Sequence, residues 1–242
     1  MLAPLGRAHH NDGAMNPIRS YETLPRDPLT DVLSLLEVQS FLSRRLEASG
    51  AWALRVPEYR HMKFGGIIEG SRWLWIEGVT EPVKLEAGDF YLLSHGGPYC
   101  FASDPTTKPV DGLAFMDEHL QGDGVVRFGY GEQRTVGTGG RFTFNDETSA
   151  LLLTSLPPLI HISGSSPQAR ALRSVLDLIA FETEAERSGS AAIGESLCSI
   201  VLVNILRAYL AGDERPRGWL GALSDPHIGT ALALMHANVA RR

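Results

Sequence analysis

Short apolar runs separated by turn residues constrain the fold of this chain more than any other sequence feature. Strand-like runs cover residues 63–68, 72–76, 83–85 and 89–93, and the breaks between them fall at Glu69-Gly70, Glu77-Gly78 and Ala87-Gly88. Most of the glycines lie between Gly50 and Gly140. Breaks at a spacing of about 8 to 10 residues favour antiparallel hairpins in a barrel or sandwich.

The same texture continues to about residue 155 and then changes. Further strands are predicted at 99–102, 113–116, 125–130, 141–144 and 150–154. Cap-plus-proline pairs predict helix starts at Asp27-Pro28, Ser166-Pro167 and Asp225-Pro226, and another helix begins near Ser190. We therefore expect a mainly β fold with C-terminal α-helices, divided into a flexible leader (1–20), a barrel (21–160) and a helical region (161–242).

The helix that begins near Ser190 is apolar over most of its circumference. Its main stripe is Ile193, Leu197, Val201 and Ile205. One packing partner would not cover so wide an apolar surface, so the stripe predicts a subunit contact and a homodimer. The alternative is a helix wedged between the barrel and its neighbour within a single chain.

Charge and cysteine content exclude several classes of function. The net charge of −6 argues against sequence-independent binding to a phosphate backbone. Cys100 and Cys198 lie far apart and indicate reduced thiols in a cytoplasmic protein. The N-terminus does not resemble a secretory signal, and the most apolar stretch, 197–210, is interrupted by Asn204 and Arg207, so no membrane partner is expected.

No catalytic or metal-binding pattern is present among the polar residues. The eight histidines form neither H-x-H nor H-E-x-x-H. A contact between His61 and His95 across neighbouring strands is compatible with the sequence. There is no G-x-S-x-G, and adjacent carboxylates such as Asp117-Glu118 point to opposite faces of an extended chain. We expect no catalytic residue, no metal and no cofactor.

Aromatic residues give the stronger indication of a binding site. Trp73 and Trp75 share one face of a strand, as do Tyr99 and Phe101. Such a face either lines a pocket for a small molecule or forms ordinary barrel core, and one sequence does not decide which face points inward. The candidate ligand-binding residues are Arg72, Trp73, Trp75, Tyr91, His95, Tyr99 and Phe101.

Three segments together resemble the AraC family of transcription regulators. LEAGDFYLLSHGGPY, from Leu85 to Tyr99, resembles part of the cupin-type sensor domain of that family. LTSLPPLIHI (153–162) resembles its barrel exit, and GWLGALSDPHIGTALALMHA (218–237) its linker and the opening helix of its DNA-binding half. The resemblance implies a cupin-like double-stranded β-helix, or jelly-roll, barrel that binds a small-molecule effector, followed by a helical dimerisation region.

The departures from the cupin pattern bear on the chemistry. Where cupins carry Gly, five residues and Pro-x-Gly-x-x-His, this chain has Gly88, Ser94, Gly96 and then Tyr99 in place of the metal-ligating histidine. A sensor rather than an enzyme is therefore expected, and the alternative is a small metal-dependent cupin isomerase or dioxygenase. The family's helix-turn-helix modules would follow residue 242, so DNA contact is expected only through a half that this chain lacks, whether as a fragment or as a truncated regulator.

Overall fold

Glycines at the turns allow the chain to form short hairpins, as the spacing of the turn residues in the sequence predicts. The computed structural model describes residues 29–30, 33, 38–60, 62–144, 153–183, 188–212, 220–222, 225, 227–228 and 231. Gly70 and Gly88 lie in two of the turns between strands with φ of 71° and 92°, a left-handed conformation that only glycine adopts without strain. The polypeptide therefore reverses direction at positions that the sequence alone marks.

The strands are β1 (Gln39–Leu42), β2 (Leu46–Ser49), β3 (Ala53–Val56), β4 (Met62–Glu69), β5 (Ser71–Ile76), β6 (Val83–Glu86), β7 (Phe90–Leu93), β8 (Tyr99–Ala102), β9 (Val110–Asp111), β10 (Val126–Gly129), β11 (Arg134–Thr143) and β12 (Leu159–Ile162). The helices with defined bounds are α1 (Gly112–Glu118), α2 (Pro167–Thr183) and α3 (Ser190–Leu210). The expectation of a mainly β fold with C-terminal helices is confirmed.

The strands form two sheets. The larger sheet has the order β10-β2-β11-β4-β7-β12, and β1 also pairs with β11; the smaller has the order β6-β5-β8-β3-β9. Pairing is antiparallel except between β2 and β10 and between β3 and β9. This two-sheet arrangement with returning strands is the jelly-roll class of barrel.

Two apolar cores lie on opposite faces of the larger sheet. The first, between the sheets, includes Leu54, Ile67 and Leu74. The second joins the outer face of the larger sheet to the helices, where Phe64 of β4 and Phe142 of β11 stack with ring centroids 4.7 Å apart. Strand alternation explains the division, because successive side chains point to opposite faces.

The start of α2 follows its predicted cap at Ser166, and one predicted strand is wrong. Ser166 Oγ accepts the backbone N–H of Ala169 at the start of α2. Residues 113–116 belong to α1 instead of a strand, because Asp111 Oδ1 accepts the N–H groups of Leu113 and Ala114 and so caps a helix.

Some of the other sequence expectations fall partly outside the described residues. Residues 150–152 of the strand expected at 150–154 lie outside them, and Leu153 and Thr154 are not in a strand. Most of the helices expected after Pro28 and Pro226, and the 1–20 leader, also lie outside. The boundary placed at residue 160 falls within β12.

Helix α3 is long and apolar enough to pass a length-and-composition test for a membrane span. Its packing gives a different explanation, because Leu197, Val201 and Ile205 are each 7% exposed or less within the chain's own core. Most of the predicted apolar stripe is therefore buried inside one chain. Of its four residues, only Ile193 is substantially exposed, at 44%.

Candidate functional site

A cavity of about 500 Å³ lies between the two sheets. Its deep wall is built from side chains of β4, β5, β7 and β8, and its outer end from the β1–β2 connection and α1. A volume in this range accommodates a drug-sized molecule.

Alternation along β5 selects which side chains reach the interior. Arg72, Leu74 and Ile76 are at most 5% exposed and face inward. Trp73 and Trp75 occupy the opposite face, where both are half-buried. The inward position of Arg72 is therefore a consequence of the strand's period of two.

Aromatic rings form the wall around the deep end. Tyr99 and Phe101 of β8 stack with centroids 6.0 Å apart, and Tyr59 meets the Tyr99 ring edge-on at 5.7 Å. Tyr91 reaches the cavity from β7, opposite Gly65 of β4 in the strand register. A Cβ at Gly65 would overlap the Tyr91 ring, so the glycine makes room for it.

Arg72 is the most buried charged group of the cavity. Its residue is 5% exposed, its Nη2 donates to Tyr91 Oη at 3.3 Å, and its Nε has no hydrogen-bond partner. The guanidinium carbon lies 5.6 Å from the Tyr91 ring centroid and 5.4 Å from that of Phe101. Within the part of the chain that the structure describes, no carboxylate pairs with Arg72.

Lys63 brings a second cation into the same space. Its Nζ donates to Tyr99 Oη at 3.5 Å and lies 4.4 Å from the Tyr59 ring centroid. Burial, together with the nearby charge of Arg141, lowers the pKa of Lys63 to about 8. The amine is therefore charged at neutral pH and close to titration.

The hydroxyls of Tyr59 and Tyr99 stay neutral beside these cations. Burial raises the pKa of Tyr99 well above its ordinary value, and burial also raises that of Tyr59. Because neither ring ionises near neutral pH, neither provides a negative charge to Arg72 or Lys63.

Two further arginines stand at the exposed end. Arg141 of β11, the register partner of Lys63, lies over the Phe41 ring at 4.7 Å. Arg44 pairs with Asp117 of α1 at 2.8 Å, with both side chains at least half exposed. This surface ion pair contributes little stability, but it links the β1–β2 connection to α1 across the cavity end.

The structure brings together four of the seven residues predicted from sequence. Arg72, Tyr91, Tyr99 and Phe101 line the cavity. Trp73 and Trp75 lie outside it, and His95 is exposed, with its Nδ1 2.7 Å from Ser94 Oγ. Sequence reasoning missed Lys63 and Arg141; the alternation of Lys63 with Gly65 and Ile67 was the available signal, but it does not show which face points inward.

The described residues contain no group of three or more His, Cys, Asp or Glu side chains placed to hold a metal ion. Tyr99, at the position where the resemblance places a ligating histidine, lines the cavity with a neutral phenol. His61 lies outside the described residues. His161 Nε2 lies 2.9 Å from Asp89 Oδ2 and joins β12 to the turn before β7.

Comparisons with known proteins place these features in context. A family model described as cupin matches residues 27–211. An AraC-like transcription regulator of Streptomyces lividans is 38% identical over 217 residues, which cover 89% of this chain and 70% of that protein. A second one, of Streptomyces antibioticus, is 34% identical over 215 residues, which cover 88% of this chain and 70% of the relative.

Among solved structures, apo ToxT from Vibrio cholerae matches with a TM-score of 0.41 and 10% identity over 76% of this chain and 62% of that chain.

Proposed function

The chain belongs to the AraC-like transcription regulators with a cupin domain. From that membership we propose that it binds a small-molecule effector in its barrel and that binding changes the position of its helices. The observation that carries the proposal is the cavity of about 500 Å³ between the sheets. Arg72, Tyr91, Tyr99 and Phe101 are the proposed ligand contacts from the predicted set. The proposed role is non-enzymatic and cytoplasmic.

Strands β4 and β11 supply the proposed route from ligand to helices. Lys63 of β4 and Arg141 of β11 line the cavity, whereas their neighbours Met62 and Phe142 on the same strands pack in the helix-facing core. Leu176 of α2 lies so close to Gly66 that a Cβ there would approach it at 2.8 Å. A ligand that prefers one arrangement of these strands thereby favours one position of α2 and α3.

We further propose that the helices pair two copies of the chain. Leu197, Val201 and Ile205 already pack inside one chain, so the surface offered to a second copy is the exposed apolar part of α2 and α3: Leu178 and Phe181 on α2, and Ile193 and Ile200 on α3, each 44–52% exposed. Large apolar side chains so exposed on two adjacent helices suit an interface.

In this proposal the acidic barrel does not contact DNA, and other residues of the whole regulator do. The net charge of −6 supports a sensing role here, because DNA-reading domains carry clustered basic side chains.

The test is a thermal-unfolding screen of the purified chain against a small-molecule library. A ligand at 100 times its dissociation constant adds about 2.7 kcal/mol to the free energy of unfolding. Val56→Phe fills the cavity wall and should abolish the shifts, whereas Val79→Phe, at an exposed turn, should keep them. Leu46→Phe is a second filling variant in case Val56→Phe fails to fold. Shifts that persist in a folded filling variant would contradict binding in the barrel.

A further inference from the structure

We propose that the effector is an organic anion, with its acid group held by Arg72 and Lys63 and its apolar body against the aromatic wall. This inference rests on the proposed function and names the chemical class of its ligand. The observation behind it is the state of Arg72, which is 5% exposed, has an Nε without a hydrogen-bond partner and has no carboxylate opposite it among the described residues.

A buried guanidinium in this state lowers the free energy of unfolding, because folding removes most of its hydration without providing a counter-charge. Its contacts with the Tyr91 hydroxyl and with the faces of the Tyr91 and Phe101 rings offset only part of the loss. An oxyanion would complete the site, since carboxylates, sulfonates and phosphates all accept charge-assisted hydrogen bonds from arginine.

The charge inventory of the cavity supports the same class of ligand. Among the described residues, four cationic side chains line it, Arg44, Lys63, Arg72 and Arg141, against a single carboxylate, Asp117, which pairs with Arg44 at the exposed end. The chain as a whole carries a net charge of −6, so this excess of positive charge is local to the cavity.

The other described lining groups favour an acid over a neutral polyol. Apart from Asp117, which pairs with Arg44, the described lining includes no carboxylate or amide side chain to accept hydrogen bonds from several hydroxyls, and its aliphatic hydroxyls are those of Ser43 and Thr138. The hydroxyls of Tyr91 and Tyr99 are instead placed beside the two deep cations. The phenol of Tyr99, whose pKa is raised by burial, stays protonated and can donate to an anion, so it adds to the cations rather than neutralising them.

The experiment compares two fluorescent probes with the same aromatic body. 1-Anilinonaphthalene-8-sulfonate carries an acid group, and N-phenyl-1-naphthylamine is its neutral counterpart. Both are titrated into the purified chain and into Arg72→Met, Lys63→Met and a matched control, Arg170→Met, whose exposed arginine lies on α2. Displacement by 1-naphthoate, 1-naphthyl phosphate and neutral 1-naphthamide then distinguishes a carboxylate from a phosphate.

We expect the sulfonate to bind at least about tenfold more tightly than the neutral probe, a factor that corresponds to one charge-assisted contact. Arg72→Met should remove that preference and leave the affinity for the neutral probe within about twofold, Lys63→Met should reduce it, and Arg170→Met should keep it. Arg72→Lys should restore part of it, which separates loss of charge from loss of folding.

Equal affinities for the two probes, or a preference that survives in Arg72→Met, would overturn the anion assignment while leaving a ligand cavity in place. Failure of both probes to bind, or unchanged binding in the folded Val56→Phe variant, would contradict the cavity itself and the proposed function with it.

Discussion

At the scale of single residues, the proposed anion site predicts that Arg72 lowers the stability of the ligand-free chain. We expect Arg72→Met to raise the free energy of unfolding of the ligand-free chain by about 1 kcal/mol or more, because an uncompensated buried cation is replaced by an apolar side chain of similar length. Urea denaturation measures this. Arg170→Met is the control and should change stability by no more than about 0.5 kcal/mol. A clear loss of stability in Arg72→Met would show that the guanidinium holds the fold together.

Lys63 makes anion binding dependent on pH. Its pKa of about 8 lies below that of an ordinary lysine, so the charge that attracts an anion is present below pH 8 and is lost as pH rises above it. Affinity for the sulfonate probe should fall by up to about tenfold between roughly pH 7 and pH 10. The facing tyrosines do not compete, because burial raises the pKa values of Tyr59 and Tyr99 and keeps both neutral.

Two controls accompany this pH titration. Lys63→Met should bind the sulfonate weakly at every pH, with a flat profile, and the neutral probe should show no fall in affinity for the original chain. The same fall in Lys63→Met would assign the titration to another group.

At the scale of elements, the pairing of β4 with β7 sets the position of the Tyr91 ring. Gly65 stands opposite Tyr91, and a methyl group there would displace the ring that borders Arg72. Gly65→Ala should cost about 1–3 kcal/mol of stability and weaken binding of both probes. Gly122→Ala, at a loop glycine with open space around it, is the matched control for unfolding and titration. Unchanged probe binding in Gly65→Ala would show that the Tyr91 ring is not part of the site.

The elements also show where sequence patterns succeed and fail. Turn glycines and the Ser166 cap predicted β5, β7 and α2 closely, because these signals act over a few residues. The apolar run 113–116 predicts a strand, whereas the Asp111 carboxylate two residues before it caps a helix. The capping side chain therefore determines the secondary structure of this segment, and its apolar content does not.

The site was predicted only in part, for a reason of geometry. Alternation states that Trp73 and Trp75 share a face, but the pairing of β5 with its neighbours decides that Arg72 is the side chain that points inward. Lys63 and Arg141 likewise become neighbours only through the register of β4 and β11. Such long-range pairing is not visible in a single sequence.

At the scale of the whole molecule, the proposed dimer depends on side chains left exposed after the helices pack. Ile193→Glu combined with Ile200→Glu should convert a dimer at tens of micromolar into a folded monomer, because charges placed in an apolar interface oppose association. Light scattering coupled to gel filtration measures the mass. Val79→Glu, at an exposed valine remote from α2 and α3 in the chain, should leave the mass unchanged.

A monomeric mass for the unaltered chain at that concentration would contradict the pairing of two copies. The barrel and its cavity would be unaffected by that result, because both are complete within one chain.

Strands β4 and β11 each have one face toward the cavity and one toward the helices, and this has a consequence for how ligand specificity changes among related proteins. Under the proposed function, one set of alternating positions contacts the ligand and the interleaved set contacts the helices, as Lys63 beside Met62 and Arg141 beside Phe142 illustrate. We therefore expect a substitution at a cavity-facing position to change which compound binds and to leave the helix-facing surface of the strand unchanged. New specificities are therefore accessible one side chain at a time, with the reporting machinery inherited intact.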